Sequence, residues 1–208
     1  MAAGAMLILA GVAICVGWRR ALISSVLGAV IFASALCFAI PAALADATFG
    51  GAWTNAGKAC ALAGGAWIVA ASGAAAPTRI AGVAAWLGRF MLAWFLAQSG
   101  LQHFRWAEFV QHLVPAWMPG AMFWTYLTGA ALVAAGIGLL IPRFVRLTAA
   151  LTAGMVGTWV FLVHLPRTLG QPGDRNEATA LFEAIAISAI LLVIWARERI
   201  RSASASAA

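Results

Sequence analysis

The chain is a succession of long apolar runs with short polar breaks between them. Seven runs stand out, at residues 3–18, 21–44, 59–76, 81–104, 121–141, 144–168 and 178–196. Charged pairs such as Arg19-Arg20 and Pro/Gly breaks such as Gln171-Pro172-Gly173 separate them. Each run approaches the ~20 residues that a helix rising 1.5 Å per residue needs to cross the hydrocarbon of a bilayer. A lipid-exposed backbone must satisfy its own hydrogen bonds, so each run is predicted to be helical. The expected fold is all-α and membrane-integral, with seven transmembrane helices.

One stretch has a different period. Between His103 and Pro115 the apolar residues Trp106, Phe109, Val110 and Leu113 recur at helical spacing, and Glu108, Gln111 and His112 take the other face. This predicts a short amphipathic helix lying in the outer interface, ended by Pro115-Ala116-Trp117-Met118-Pro119.

The chain also repeats itself. A shift of 125 residues pairs Gly4 with Gly129, Leu7 with Leu132, Gly11 with Gly136, Leu22 with Leu147, Pro41 with Pro166 and Ala59 with Ala184, without a gap. Runs one to three thus match runs five to seven, in the same membrane orientation, which makes a parallel repeat. The expected organisation is a degenerate three-helix repeat over 1–76, a four-helix-bundle unit over 77–198 and a disordered tail over 199–208. The second copy holds more of the polar chemistry, since His164 stands opposite Ala39, Arg167 opposite Ala42 and Glu183 opposite Lys58.

Composition agrees with a membrane solvent. Hydrophobic residues make up 64% of the 208, charged residues 9%, and the mean hydropathy is +0.96. A soluble domain is nearer a quarter charged and cannot hide that much apolar surface. The net charge of +7 does not point to nucleic acid, because the basic residues sit at the ends of apolar runs. They set topology instead. With the first helix running inward, Arg19, Arg20, Arg79, Arg89, Arg143, Arg146, Arg197, Arg199 and Arg201 fall inside, and Lys58, Arg105, Arg167 and Arg175 outside. That bias places the N-terminus outside and the C-terminus in the cytoplasm of a bacterial-type inner membrane. The first run lacks a basic leader and is read as a retained helix. Cys15, Cys37 and Cys60 sit singly in apolar runs and form no C-x-x-C pair, so they read as small hydrophobes.

With this topology His103, His164 and Glu183 lie at similar depth near the outer face, with Arg105 and Arg167 just above them. Ionisable groups in a membrane are costly and face partners or a functional interior. Three functions suit these types. His103 and His164 with Glu183 could hydrogen-bond a quinone and relay its protons, with Trp124 and Tyr126 walling the ring. The same three could hold zinc or iron. The two histidines could ligate a haem. Alternatively, the groups satisfy one another and fasten helix ends. The P-loop, G-x-S-x-G and H-E-x-x-H signatures are absent from the sequence.

Gly100-Leu-Gln-His103-Phe104, Phe109, Val114 to Pro119, Trp124-Thr-Tyr126-Leu-Thr-Gly129, His164-Leu-Pro166-Arg167, Arg175-Asn176-Glu177 and Phe182-Glu183-Ala184 together resemble the DoxX-like family of membrane proteins. The resemblance covers residues 85–196, with 4–70 as a degenerate first copy. It implies a four-helix membrane unit. Some relatives are linked to quinone-coupled sulfur oxidation, as the thiosulfate:quinone oxidoreductase subunit, and others to membrane oxidoreductase complexes. The expected function is a quinone-linked membrane component with redox partner proteins. The alternative is non-catalytic: a small-molecule or lipid transporter, or an assembly subunit.

Overall fold

A computed structural model of the chain describes residues 2–48, 50–73 and 78–206, of which 87% are helical and none forms a strand. The apolar runs become α1 (Ala2–Cys15), α2 (Arg20–Ser34) continued by α3 (Ile40–Ala45), α4 (Gly50–Ser72), α5 (Arg79–Arg105), α7 (Ala121–Leu140), α8 (Val145–Trp159) continued by α9 (Leu165–Gly170), and α10 (Arg175–Ser206). Five of these stretches, Arg20–Ala45, Arg79–Arg105, Ala121–Leu140, Val145–Gly170 and Arg175–Ser204, are long and apolar enough to cross a membrane. The chain is therefore a multi-pass membrane protein. Helix α1 is apolar but has 14 residues, about 21 Å of helix at 1.5 Å per residue. Helix α4 is long enough, but Asn55, Lys58 and its glycines dilute its apolar run.

Proline dictates the shape of two of the spans. Pro41 and Pro166 each stand one residue into a helix that follows a five-residue π turn, Ala35–Ala39 and Val160–His164. A proline inside a helix has no N–H to donate and its ring presses on the carbonyl four residues back. Widening the turn by one residue relieves the clash. The backbone shows the switch: the Ile40 N–H donates to Ala35 O and the Leu165 N–H to Val160 O, each five residues back. The two sets of elements match in length and order. α2, its π turn and α3 recur as α8, its π turn and α9, each 125 residues further on.

The chain divides into two compact units, Met1–Leu92 and Ala93–Ala208, with the division inside α5. The boundary expected at 76/77 lies outside the described residues. In the first unit α2 packs along α4. Ala35, Cys60 and Met91 are buried there against Phe32, Ile40 and Trp67, and the Phe32 and Trp67 rings meet edge to face at 5.5 Å. Gly64 of α4 and Gly88 of α5 bring two backbones together where no side chain fits. An apolar groove of about 1110 Å³ opens between α1, α2–α3 and α4.

In the second unit α8 packs along α10, with Ala149, Ala153, Val156, Ala184, Ile187 and Leu191 buried. The Ser188 hydroxyl donates to Ala153 O at 2.9 Å across this interface. α7 receives the second half of α5 on Gly129 and Gly136. A Cβ at Gly136 would lie 2.6 Å from Ala93 O, and one at Gly129 would lie 2.7 Å from the His103 Cβ. Lipid tails are as apolar as leucine, so such close small-residue packing supplies much of what holds spans together.

Two expectations need correction. α10 continues through Ser206, so residues 199–206 are helical where a disordered tail was expected, and 207–208 lie outside the described residues. An Arg201–Glu198 pair one turn apart and the Ser202 hydroxyl donating to Glu198 O support the extension. The amphipathic stretch forms only two short turns, α6 (Ala107–Val110) and a 3₁₀ turn at Gln111–Leu113. Trp106 breaks it from α5, Ala107 rather than an aromatic residue is buried, and Phe109 is exposed.

Gly136→Val should destabilise the protein by about 1–3 kcal/mol, because the added atoms meet α5 backbone. Gly154→Val has open space around it and should cost much less. Thermal unfolding of both in lipid nanodiscs checks this; equal losses would contradict the packing described.

Candidate functional site

The polar groups of the second unit gather where α9 turns into α10. The turn Gly170-Gln171-Pro172-Gly173-Asp174 reverses the chain, and the Asp174 N–H donates to Gln171 O. Asp174 then caps α10, its Oδ1 accepting from the Asn176 N–H at 2.7 Å. This hairpin brings Arg167 opposite Glu177. The Arg167 Nε donates to Glu177 Oε2 at 2.9 Å, and its Nη2 donates to Oε1. Two parallel bonds between planar groups make the strongest and most directional kind of ion pair. The Glu177 side chain is 13% exposed and that of Arg167 35%. The Thr168 hydroxyl lies between His164 O at 2.9 Å and Glu177 O at 3.1 Å, and can donate to either.

His164 closes the π turn beside this pair. It is half-buried, its Nδ1 is buried, and it lies close enough to Glu177 to act on that carboxylate electrostatically. His164, Arg167 and Glu177 therefore form one polar cluster, with Thr168 tying α9 to α10.

The first copy shows what the same scaffold looks like without these groups. Ala39, Ala42 and Ala52 occupy the positions 125 residues before His164, Arg167 and Glu177, and all three line the apolar groove. The π turn, the proline and the helix that follows, α4, are nonetheless present there. The local fold does not require the polar cluster.

The other expected residues are placed differently. His103, near the end of α5, donates from Nδ1 to Ser99 O at 2.7 Å, which leaves Nε2 as the acceptor. It lies over Gly129, and the neighbouring Phe104 stacks on Tyr126 at 5.7 Å. Trp124 donates from Nε1 to Pro119 O at 3.1 Å and so closes the first turn of α7. Trp124 and Tyr126 are two residues apart, about 200° round the helix, so they cannot wall the same ring. Glu183 lies about 120° round α10 from Glu177, on a face other than that of Ala184 and Ser188, which turn to α8. Among the described residues no three of His, Cys, Asp and Glu gather closely enough to hold a metal ion, so the His103–His164–Glu183 set does not form a metal site.

Sequence reading places Glu177 only within the Arg175-Asn176-Glu177 motif and not among the site residues. The signal available was an Arg one turn before a Gly-Pro-Gly-type turn and a Glu one turn after it, which a hairpin brings face to face. Gln98 was also passed over. Its Oε1 and Nε2 are both buried in α5 without a hydrogen-bond partner among the described residues, a costly state for an amide inside a membrane.

A family model described as Domain of unknown function (DUF8561) matches residues 92–198, more than half of the chain. The chain belongs to the DUF8561 family. No curated protein and no solved structure matches the chain. The DUF8561 match takes in every polar group named above, from Gln98 and His103 through Glu183, and none of the first-copy groove.

Arg167→Ala and Glu177→Ala should each destabilise this DUF8561 protein by stranding a half-buried charge. A double-mutant cycle on thermal unfolding should give a coupling of about 0.5–3 kcal/mol. A coupling of zero would mean that the pair is not made in the bilayer.

Proposed function

We propose that the protein is a quinone-linked component of a bacterial-type inner membrane, with its site at His164, Arg167, Thr168 and Glu177 near the outer face. All seven helical segments cross the bilayer in this reading, with the N-terminus outside and the C-terminus in the cytoplasm. The observation that carries the proposal is the contrast between the copies. A π turn, the short proline helix after it and the helix that follows recur 125 residues apart, bearing His, Arg and Glu once and alanine the other time. Groups that folding does not need, kept in a medium that penalises them, mark a site. π turns inside helices are frequent at such places.

The chemistry of the cluster fits a carbonyl-bearing ring. A quinone, when bound, supplies reversible uptake of electrons and protons. His164 offers a titratable nitrogen that can donate to a carbonyl oxygen or accept a proton. The Arg167–Glu177 pair fixes α9 against α10 and so fixes the direction of the imidazole. Arg167, partly exposed, favours negative charge developing beside it. The resemblance to DoxX-like proteins points the same way, and redox partner proteins would exchange electrons at the outer face.

Protein purified in nanodiscs from its own membranes should carry near-stoichiometric quinone by mass spectrometry of the extract, and His164→Ala should lose it. Wild-type protein without quinone would sink the proposal, and the cluster would then be the fastener of an assembly subunit. Topology has its own test. In a background with Cys15, Cys37 and Cys60 replaced by serine, a cysteine at Gly173 should react with an impermeant maleimide from outside in intact cells or spheroplasts. One at Ser202 should react only after the membrane is opened. The reverse pattern would invert the orientation.

A further inference from the structure

The turn between α1 and α2 concentrates positive charge that its own unit does not offset. Arg19 and Arg20 stand side by side there, and the one acid between Met1 and Leu92 is Asp46, beyond the far end of α3. Neither guanidinium has a carboxylate partner among the described residues. Arg20 is nonetheless held in place. Its Nε donates to Ile14 O, in the last turn of α1, at 3.3 Å. Its stem crosses Gly73 at the end of α4, where a Cβ would lie 3.1 Å from the Arg20 Cδ. Its Nη2 sits over Gly17, 3.5 Å from where a Cβ would be. Arg19 holds a φ of 43°, a strained conformation for a residue with a side chain, and its Cζ lies 6.0 Å from the centroid of Trp18. α2 begins here without a side-chain cap, so its first amides add to the positive field.

The apolar groove of the first unit starts at this charged turn. Leu22, two residues beyond Arg20, lines it, and so do Val26 and Val30 on the same face of α2 and Leu7 and Ala10 of α1. Leu22, Val26 and Val30 are all more than half exposed. From Leu22 to Ile31, both in the lining, α2 rises about 14 Å, close to the ~15 Å of half a bilayer's hydrocarbon. At about 1110 Å³ the groove exceeds the roughly 300–1,000 Å³ of a site for a compact ligand. Among the described residues its lining includes no Lys or Arg, and its one acid, Asp46, stands at the opposite end from Arg20.

An occupant thus meets two guanidinium groups at one end, apolar walls along its length and a carboxylate at the other end. An anionic head on long apolar chains fits that order, and in one direction only. The planar fork of arginine matches phosphate oxygens, and basic pockets between membrane helices take acidic headgroups. We infer that this groove binds a phospholipid with a net negative headgroup, its phosphate at Arg19 and Arg20 and its acyl chains between α1 and α2. Arg20, fixed by Ile14 O and the two glycines, presents its guanidinium already oriented, which an arginine serving only as a topology signal does not need.

The full-length protein in nanodiscs of mixed phosphatidylcholine and phosphatidylglycerol, released for native mass spectrometry, should keep one phosphatidylglycerol. Thermal unfolding should rise by a few degrees when phosphatidylglycerol replaces part of the phosphatidylcholine, and inorganic phosphate at matched ionic strength should give no such rise. Arg19→Gln with Arg20→Gln should lose both the retained lipid and the rise. Arg199→Gln with Arg201→Gln, which removes the same charge at the end of α10, should keep both. Val26→Trp fills the groove and leaves the arginines intact, and it should also lose the retained lipid while unfolding in pure phosphatidylcholine near the wild type. Equal retention of the two lipids by the wild type, lipid kept by Val26→Trp or by the Arg19/Arg20 variant, lipid lost by the Arg199/Arg201 variant, or equal stabilisation by inorganic phosphate would each overturn the inference. Should the Arg19/Arg20 variant fail to fold, the lipid preference of the wild type and Val26→Trp still decide.

Discussion

A proline inside a membrane-spanning helix removes an amide hydrogen and crowds the carbonyl four residues back, and in lipid no water is at hand to make good the loss. Pro41 and Pro166 impose this constraint at equivalent points of two spans. The chain answers it twice in the same way, with a π turn that passes the donor on to the carbonyl five residues back. Much of the second unit depends on that widened turn. It is closed by His164, starts the short helix that carries Arg167 and Thr168, and leads into the hairpin that brings Glu177 back onto them.

Small residues are the second determinant. Gly64 against Gly88, and Gly100 against Gly129, set helices at backbone contact, where side chains would hold them apart. Dispersion between closely packed backbones replaces the hydrophobic drive that lipid removes. The same glycine spacing recurs on α1 and α7, 125 residues apart, and on α7 it receives α5.

The all-helical fold and the five long apolar helices were legible from apolar runs, because length and hydropathy in a membrane leave the backbone little choice. The 125-residue shift was legible too, and Pro41 and Pro166 were among its pairs, but a proline alone does not say whether a helix kinks, breaks or widens. His164 and Arg167 were picked out by depth and by contrast with Ala39 and Ala42. Glu177 was missed because its position one turn past a hairpin counts only once the hairpin is drawn. His103, His164 and Glu183 were grouped by membrane depth, with Trp124 and Tyr126 added as walls for a ring. Depth is readable from sequence, but the face of a helix that meets a given neighbour depends on the packing of the whole unit. The tail erred through composition, since small polar residues lower helix propensity without forbidding the continuation of a helix already nucleated by the span above it.

The central claim is that the polar cluster serves binding and is not needed for folding. It is tested most directly by giving the second copy the residues of the first, His164→Ala, Arg167→Ala and Glu177→Ala together, and measuring thermal unfolding in nanodiscs alongside the bound small molecules. Removing both charges of a pair at once leaves neither stranded, and replacing such pairs by apolar groups is often neutral. The account predicts a protein that unfolds within a few degrees of the wild type and has lost its bound quinone. A triple variant that fails to fold, or one that keeps its quinone, would contradict it.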